Sequence, residues 1–136
     1  LKDKAVNLGI HEKIIWLGHC DRKSVANLLK GSDLCLVPSR FESFGIVAAE
    51  SLFCGTPVVG TYCGGLDYVL EGMDALVNFG DVEGFVDKIL STYAAFNCEE
   101  GKMNLRENLS QMAMQRFSSE IVSKQILRVY QEVATR

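Results

Sequence analysis

Four short runs of mostly apolar residues, separated by segments long enough to form helices, constrain the fold of this chain more than any other feature. The runs are residues 13–17, 34–37, 58–60 and 75–77. Continuous apolar runs of this length are typical of strands that are covered on both faces, as in parallel sheets. Because helical segments separate the runs, the sequence predicts an α/β fold: a doubly wound parallel sheet with helices on both faces.

The remaining segments have helical patterns. We predict helices at residues 1–8, 22–30, 44–54, 67–70, 81–95, 99–115 and 119–134. Asp81 has the position and the side chain of an N-cap for the helix that follows it. The last helix carries an apolar stripe that we predict to be core and not a partner surface. The stripe consists of Ile121, Val122, Ile126, Val129, Tyr130 and Val133.

Length and composition limit the classes of function. The chain has 136 residues, of which 48% are hydrophobic, and this suits one domain with a single core. The formal charge is −3, and the sequence has no basic stripe, which argues against nucleic acid as a partner. The five cysteines are odd in number and unclustered, so we expect reduced residues in a cytoplasmic protein. Since the chain begins at Leu1, within a predicted helix, we expect a fragment of a longer protein.

One charged residue stands out in the predicted helix at residues 44–54. Only Glu50 and Ser51 are polar there, and we expect this helix to be buried on most sides. A carboxylate among apolar side chains is unfavourable unless hydrogen-bond donors or a cation reach it. We therefore expect a group from outside the helix, either protein or ligand, to meet Glu50.

The loop before this helix has groups that suit an anion and a hydroxyl-rich ligand. Ser43 is a candidate N-cap, which would leave the N–H groups of Phe44, Gly45 and Ile46 unpaired at the positive end of the helix. Such an end attracts phosphate, and Glu42 supplies a second carboxylate. A nucleotide sugar fits this combination. In the alternative, a distant arginine or backbone amide meets the helix carboxylate, and the loop carboxylate is merely solvated.

The fold rule for such sheets places three loops together. Ligands of doubly wound sheets bind outside the carboxyl ends of the strands. This rule puts residues 18–21, 38–45 and 61–65 on one rim of the predicted sheet. We expect any chemistry to take place there.

The same region matches a family pattern. Residues 38–50 read Pro-Ser-x-x-Glu-x-Phe-Gly-x-x-x-x-Glu, followed by Gly-x-Pro-Val-Val at 55–59 and Gly-Gly at 64–65. The chain thereby resembles the C-terminal half of the group 1 retaining glycosyltransferases, a GT-B family that uses nucleotide sugars. Further matches lie at residues 15–18, 32–39 and 117–118, so that the resemblance covers nearly the whole chain.

The resemblance implies roles for individual residues. Glu42 would bind hydroxyls of the donor sugar and position it for catalysis. The N–H groups of residues 44–46 would hold sugar hydroxyls and the diphosphate, Glu50 would bind the ribose, and Cys20 would lie near the base. Transfer would proceed with retention of configuration, without a covalent enzyme nucleophile or a cofactor. We expect no metal ion, because Glu42 and Glu50 lack the Asp-x-Asp spacing that would hold a divalent cation beside a diphosphate.

The resemblance also implies that residues 1–136 form a donor-binding domain without its first strand and phosphate loop. The acceptor site would belong to a preceding N-terminal domain of the full-length protein, for which peripheral membrane association stays open. Asp67, the acidic residue after the Gly-Gly pair, lies one position earlier than in the family pattern. We expect it to be the N-cap of a short helix.

Two other functions remain open at this point. A sugar-nucleotide epimerase or hydrolase of the same fold would need an acid or base near Glu42, and His19 is the candidate. A non-catalytic nucleotide-binding module would keep the fold without the chemistry. Titration with nucleoside diphosphates separates the two: no rise in melting temperature with any nucleotide would favour the non-catalytic module, whereas a rise that is abolished by Glu50→Ala would support the transferase.

We expect the chain alone not to transfer sugar, because the resemblance places the acceptor site and part of the diphosphate site outside it. The measurement is a transfer assay with the isolated chain, a panel of nucleotide sugars and simple acceptors. Measurable transfer would contradict this expectation.

Overall fold

The structure, a computed structural model, describes residues 1–96 and 102–135. Its sheet has three parallel strands in the order β1-β2-β3: β1 is Cys35–Val37, β2 is Val58–Thr61 and β3 is Leu76–Val77. In the register, Leu36 lies opposite Val59, and Gly60 lies opposite Leu76. The α/β fold with a parallel sheet is confirmed, and these strands overlap three of the four predicted runs.

Helices connect and cover the strands. They are α1 (Lys2–Asn7), α2 (Arg22–Gly31), α3 (Ile46–Phe53), α4 (Gly65–Val69), α5 (Val82–Phe96), α6 (Lys102–Phe117) and α7 (Ser119–Ala134). The Asp81 carboxylate accepts the N–H of Gly84 at 2.9 Å, which confirms the predicted cap of α5. The predicted start of the sixth helix at residue 99 lies outside the described residues.

The predicted strand at residues 13–17 is wrong. His11–Lys13 form a 3-10 turn, and Ile15 in the apolar run that follows is 83% exposed. Ile14 and Trp16 line a small cavity against α1 instead. A strand needs a neighbour to satisfy its N–H and C=O groups, and the described part of the chain places no strand beside this run. The apolar pattern is that of a strand, but it cannot show whether a second strand lies beside it.

The core lies between α3, the sheet and the helices α4 and α6. Its fully buried members include Ala48, Leu52, Val59, Leu66, Val69, Leu70, Phe96 and Ala113. The Ser110 hydroxyl of α6 donates to the Phe53 carbonyl at the end of α3, at 3.0 Å. α3 is therefore held from the sheet side and from α6, and this fixes the position of the loop that precedes it.

Two arginines of α6 bind the C-terminal ends of other helices. Arg106 donates to the carbonyls of Lys30 at 3.1 Å and Ser32 at 2.7 Å, at the end of α2. Arg116 donates to the carbonyls of Tyr68 at 2.6 Å and Val69 at 3.2 Å, at the end of α4. The last carbonyls of a helix have no partner within it, so each arginine satisfies groups that the helix leaves open.

The predicted core role of the α7 stripe is wrong. Among the described residues no side chain of α7 is buried, and Tyr130 is 70% exposed. α7 contacts α6, but beyond Ile121 all of its described residues are exposed. The helical period was predicted correctly, but a period does not show what lies opposite a face. No helix of the described chain is both long and apolar enough to cross a membrane.

We expect Arg106→Met to lower the free energy of unfolding by about 2 kcal/mol, because it leaves the carbonyls of Lys30 and Ser32 without a charged donor. The aliphatic replacement keeps much of the packing on Phe96, whose ring lies 4.9 Å from the guanidinium. Urea denaturation measures the change.

Arg128→Met is the matched control for this measurement. Arg128 forms an exposed i,i+4 ion pair with Glu132 at 2.9 Å, and such pairs contribute little. Equal losses in the two variants would contradict the capping role of Arg106.

Candidate functional site

Two loops meet at the carboxyl ends of β1 and β2. Glu42 and Gly64 form an isolated parallel bridge, and the N–H of Gly65 donates to the carbonyl of Glu42 at 2.7 Å. The Thr61 hydroxyl donates to the carbonyl of Ser39. The two loops at residues 38–45 and 61–65 are thus brought together, as the fold rule predicts.

The third predicted loop, residues 18–21, is less closely joined to the other two. No hydrogen bond of the described residues links it to either of them. Asp21 caps α2 by accepting the N–H of Ser24 at 2.8 Å, and this hydrogen bond lowers the pKa of the Asp21 carboxyl. Arg22, the first residue of α2, lines a cavity of about 210 Å³ that Glu50 also lines. Cys20 is half-buried, and its contact with a base stays a prediction.

The start of α3 differs from its prediction. α3 begins at Ile46 with Gly45 as N-cap, so the predicted cap Ser43 is wrong. Gly45 has a φ of 87°, which a residue with a Cβ rarely adopts, and a Cβ there would come within 2.8 Å of Leu66 Cδ2. This glycine turn delays the helix until after Gly45, two residues past the serine.

The N–H groups predicted to meet an anion stay open at this helix start. The hydrogen bonds of the described residues use none of the N–H groups of Phe44, Gly45 and Ile46, and the first helical bond runs from the Ala49 N–H to the Gly45 carbonyl. No side chain caps them. Backbone donors at the positive end of a helix suit a phosphate oxygen.

Glu50 lies on the open face of α3. It is half-buried, and no described side chain or backbone group forms an ion pair or hydrogen bond with its carboxylate. The helix is less enclosed than predicted, since Ile46 is 63% and Val47 49% exposed. It buries one face only, with Ala48, Ala49, Ser51 and Leu52.

Glu50 lines two cavities. The smaller one is the cavity shared with Arg22, and the larger one has a volume of about 420 Å³. Aromatic rings form much of the wall of the larger cavity: Phe44 and Tyr68 each lie 5.9 Å from Phe117 between ring centroids. Glu50 thus combines a free carboxylate with room beside it for a ligand.

Several residues of this wall could not be predicted from the sequence. Tyr68, Arg116 and Phe117 come from α4 and the end of α6, and the Arg116 guanidinium lies 4.8 Å from the Phe117 ring centroid. Arg116 binds main-chain carbonyls, which leave no signature in the sequence. Only the Phe-Ser match at residues 117–118 pointed to this region.

Asp67 is not the predicted N-cap. α4 begins at Gly65 with Gly64 as its N-cap, and the Asp67 carboxylate accepts the N–H of Cys63 at 3.0 Å. Asp67 thus lies in the first turn of α4 and stabilises the chain turn that precedes this helix.

The cysteines and the acidic residues form no metal centre in the described parts of the chain. No group of three or more His, Cys, Asp or Glu side chains lies close enough there to hold an ion. Cys63 is buried, and burial raises the pKa of the half-buried Cys35 thiol. Cys98 lies outside the described residues. Independence from metal stays a prediction.

The fold and the candidate site define an α/β domain with a parallel sheet, in which carboxylates and free backbone donors lie where two loops meet at the carboxyl ends of the strands. Comparison with known families matches residues 1–95 to the family described as Glycosyl transferases group 1. The match covers more than half of the chain. The chain therefore belongs to the group 1 glycosyltransferase family.

Individual relatives agree with this assignment. N-acetyl-alpha-D-glucosaminyl L-malate synthase from Bacillus anthracis is 35% identical over 129 residues, which are 93% of this chain and 32% of the relative. D-inositol 3-phosphate glycosyltransferase from Mycolicibacterium smegmatis is 41% identical over 87 residues, which are 62% of this chain and 20% of the relative. The chain thus spans a third or less of the length of these relatives.

A solved structure has the same fold. Sucrose-phosphate synthase from Thermosynechococcus elongatus superposes with a TM-score of 0.82, covering 98% of this chain and 33% of that structure, at 24% identity. At this identity the similarity shows the fold alone. The predicted GT-B fold is thereby confirmed, with the chain corresponding to part of it.

Proposed function

We propose that this chain binds a nucleotide sugar and is the donor-binding part of a glycosyltransferase that retains the configuration of the transferred sugar. One observation carries the proposal. The Glu50 carboxylate is half-buried beside a cavity of about 420 Å³, has no described protein partner, and lies one helical turn after the free N–H groups at the start of α3.

A nucleotide sugar supplies what each of these groups lacks. Vicinal ribose hydroxyls donate two hydrogen bonds to one carboxylate, which suits Glu50. The diphosphate accepts from the N–H groups of Phe44, Gly45 and Ile46, where the dipole of α3 adds a favourable field. Glu42, half-buried in the adjoining loop, accepts hydroxyls of the sugar itself.

The proposed chemistry is stabilisation of the departing diphosphate. In a retaining transfer without a covalent enzyme nucleophile, the acceptor attacks on the face from which the diphosphate leaves. Negative charge grows on the diphosphate as the bond to the sugar breaks. Donors that are already fixed in place stabilise this charge without reorganising during the reaction. Neither a cofactor nor a metal ion is part of this proposal.

The remaining elements of the proposal concern the full-length protein. A preceding N-terminal domain holds the acceptor, the transfer takes place in the cytoplasm, and the isolated chain is inactive. The names of the two relatives mention L-malate and D-inositol 3-phosphate. Because these compounds differ in chemistry, we assign no acceptor to this protein.

We expect Glu50→Gln to weaken binding of a nucleoside diphosphate by about tenfold, because a charge-assisted hydrogen bond to the ribose is lost. The chain is titrated with UDP, GDP and ADP, and its melting temperature is followed. A ligand at a hundred times its dissociation constant stabilises the wild type by about 2.7 kcal/mol. Glu107→Gln, at an exposed position of α6, is the control and leaves binding unchanged. A wild type that no nucleotide stabilises would favour a non-catalytic module that binds none of them.

Glu42→Gln is expected to separate recognition of the sugar from recognition of the nucleotide. Because Glu42 meets only the sugar, the affinity for the nucleotide sugar falls by about tenfold while the affinity for the nucleoside diphosphate stays within about twofold. Calorimetric titration of the same variant with both ligands measures the ratio. Equal loss of both affinities would contradict the role given to Glu42.

A further inference from the structure

We propose that Gly64 and Gly65 are positioning residues for the donor loop, by which we mean residues 42–46. They do not touch the donor. They hold the loop backbone so that its N–H groups and Glu42 point where the proposed function needs them, and the inference rests on that function.

The first argument is the close approach of two backbones. A Cβ on Gly65 would overlap the N, Cα and C atoms of Phe44. Gly65 does not have a positive φ, so its own conformation would admit other residues. The space taken by the Phe44 backbone is therefore what requires glycine at position 65.

The second argument is the hydrogen bonding between the same segments. The N–H of Gly65 donates to the carbonyl of Glu42 at 2.7 Å, and Gly64 pairs with Glu42 in a parallel bridge. A Cβ on Gly64 would lie 2.9 Å from that same carbonyl oxygen. The glycine pair thus fixes the backbone at Glu42 and, two residues later, at Phe44.

The third argument is that the glycine pair belongs to an anchored element. Leu66, the next residue, is fully buried and lies directly against Gly45. At its other end, α4 is held by Arg116, which donates to the carbonyls of Tyr68 and Val69. The donor loop lies on a support that is fixed at both ends.

The donor loop needs such a support because it has little of its own. No side chain caps α3, and the N–H groups of Phe44, Gly45 and Ile46 form no hydrogen bond within the described protein. Donors that serve a developing charge are effective only when neighbouring groups hold their direction. In this chain the glycine pair supplies that restraint from the loop after β2.

The test compares three glycine-to-alanine variants. Gly65→Ala and Gly64→Ala displace the donor loop at Phe44 and at Glu42. Gly55→Ala is the matched control: φ there is 71°, and a Cβ would lie 2.7 Å from the Arg106 carbonyl oxygen, at the opposite end of α3. All three variants lower the melting temperature, and only the first two alter the donor loop.

Affinities of the chain for UDP, GDP and ADP and for the matching monophosphates are measured by calorimetry. For the base that the wild type prefers, we expect Gly65→Ala to lose about tenfold in diphosphate affinity and Gly64→Ala about threefold. Monophosphate affinity stays within about twofold, because Glu50 and not the donor loop holds the ribose. Gly55→Ala keeps both affinities although it is less stable, and a general loosening of the fold would not produce this split.

Each outcome decides the inference. Wild-type affinity in both donor-loop variants would overturn it and leave the proposed function intact, as would an equal loss in Gly55→Ala. A wild type that binds no nucleotide would overturn the proposed function and the inference together. If Gly65→Ala does not fold, the diphosphate and monophosphate affinities of Gly64→Ala, a variant at an exposed position, test the inference.

Discussion

The rotation of α3 about its axis, which decides which of its faces packs against the sheet, determines most of this structure. Its small residues Ala48 and Ser51 face inward together with Leu52, and the Ser51 hydroxyl donates to the buried Thr56 carbonyl at 2.9 Å. The Thr56 hydroxyl donates in turn to the Leu29 carbonyl of α2 at 2.6 Å. Small side chains allow a close approach, and a buried hydrogen bond is costly to break. These contacts fix the rotation of the helix about its axis, and Glu50 thereby lies on its open side.

Much of the fold could be predicted because the sequence determines it locally. The strands at β1 and β2 are apolar on both faces and lie between turn residues, and Asp81 caps α5 as predicted. The predictions that were wrong concern segments whose structure depends on neighbouring elements. The run at residues 13–17 has the composition of a strand, and the α7 stripe has the period of a core helix, but neither pattern contains its partner. The position of the α3 cap failed for a different reason, since a glycine turn overrode a serine that suited the role.

The residues of the candidate site also fall into two groups, those that the sequence could indicate and those that it could not. Glu42, the donor loop and Glu50 lie within nine consecutive positions of one loop and helix, so a pattern in the sequence could indicate them. Tyr68, Arg116 and the contacts of the glycine pair come from segments far apart in sequence. Their hydrogen bonds run largely through main-chain atoms, which leave no pattern of side chains in the sequence. A carboxylate and its spacing can be read from a sequence, whereas the backbone that holds it in place can be seen only in three dimensions.

The two arginines of α6 bear on the order in which the site can form during synthesis. Arg106 binds a carbonyl 74 positions earlier in the chain, and Arg116 binds one 47 positions earlier. While a ribosome makes the chain from its N-terminus, α2 and α4 must wait with open C-terminal carbonyls until α6 has emerged. The C-terminus of α4, which supports the donor loop, is thus completed only after α6 has been synthesised.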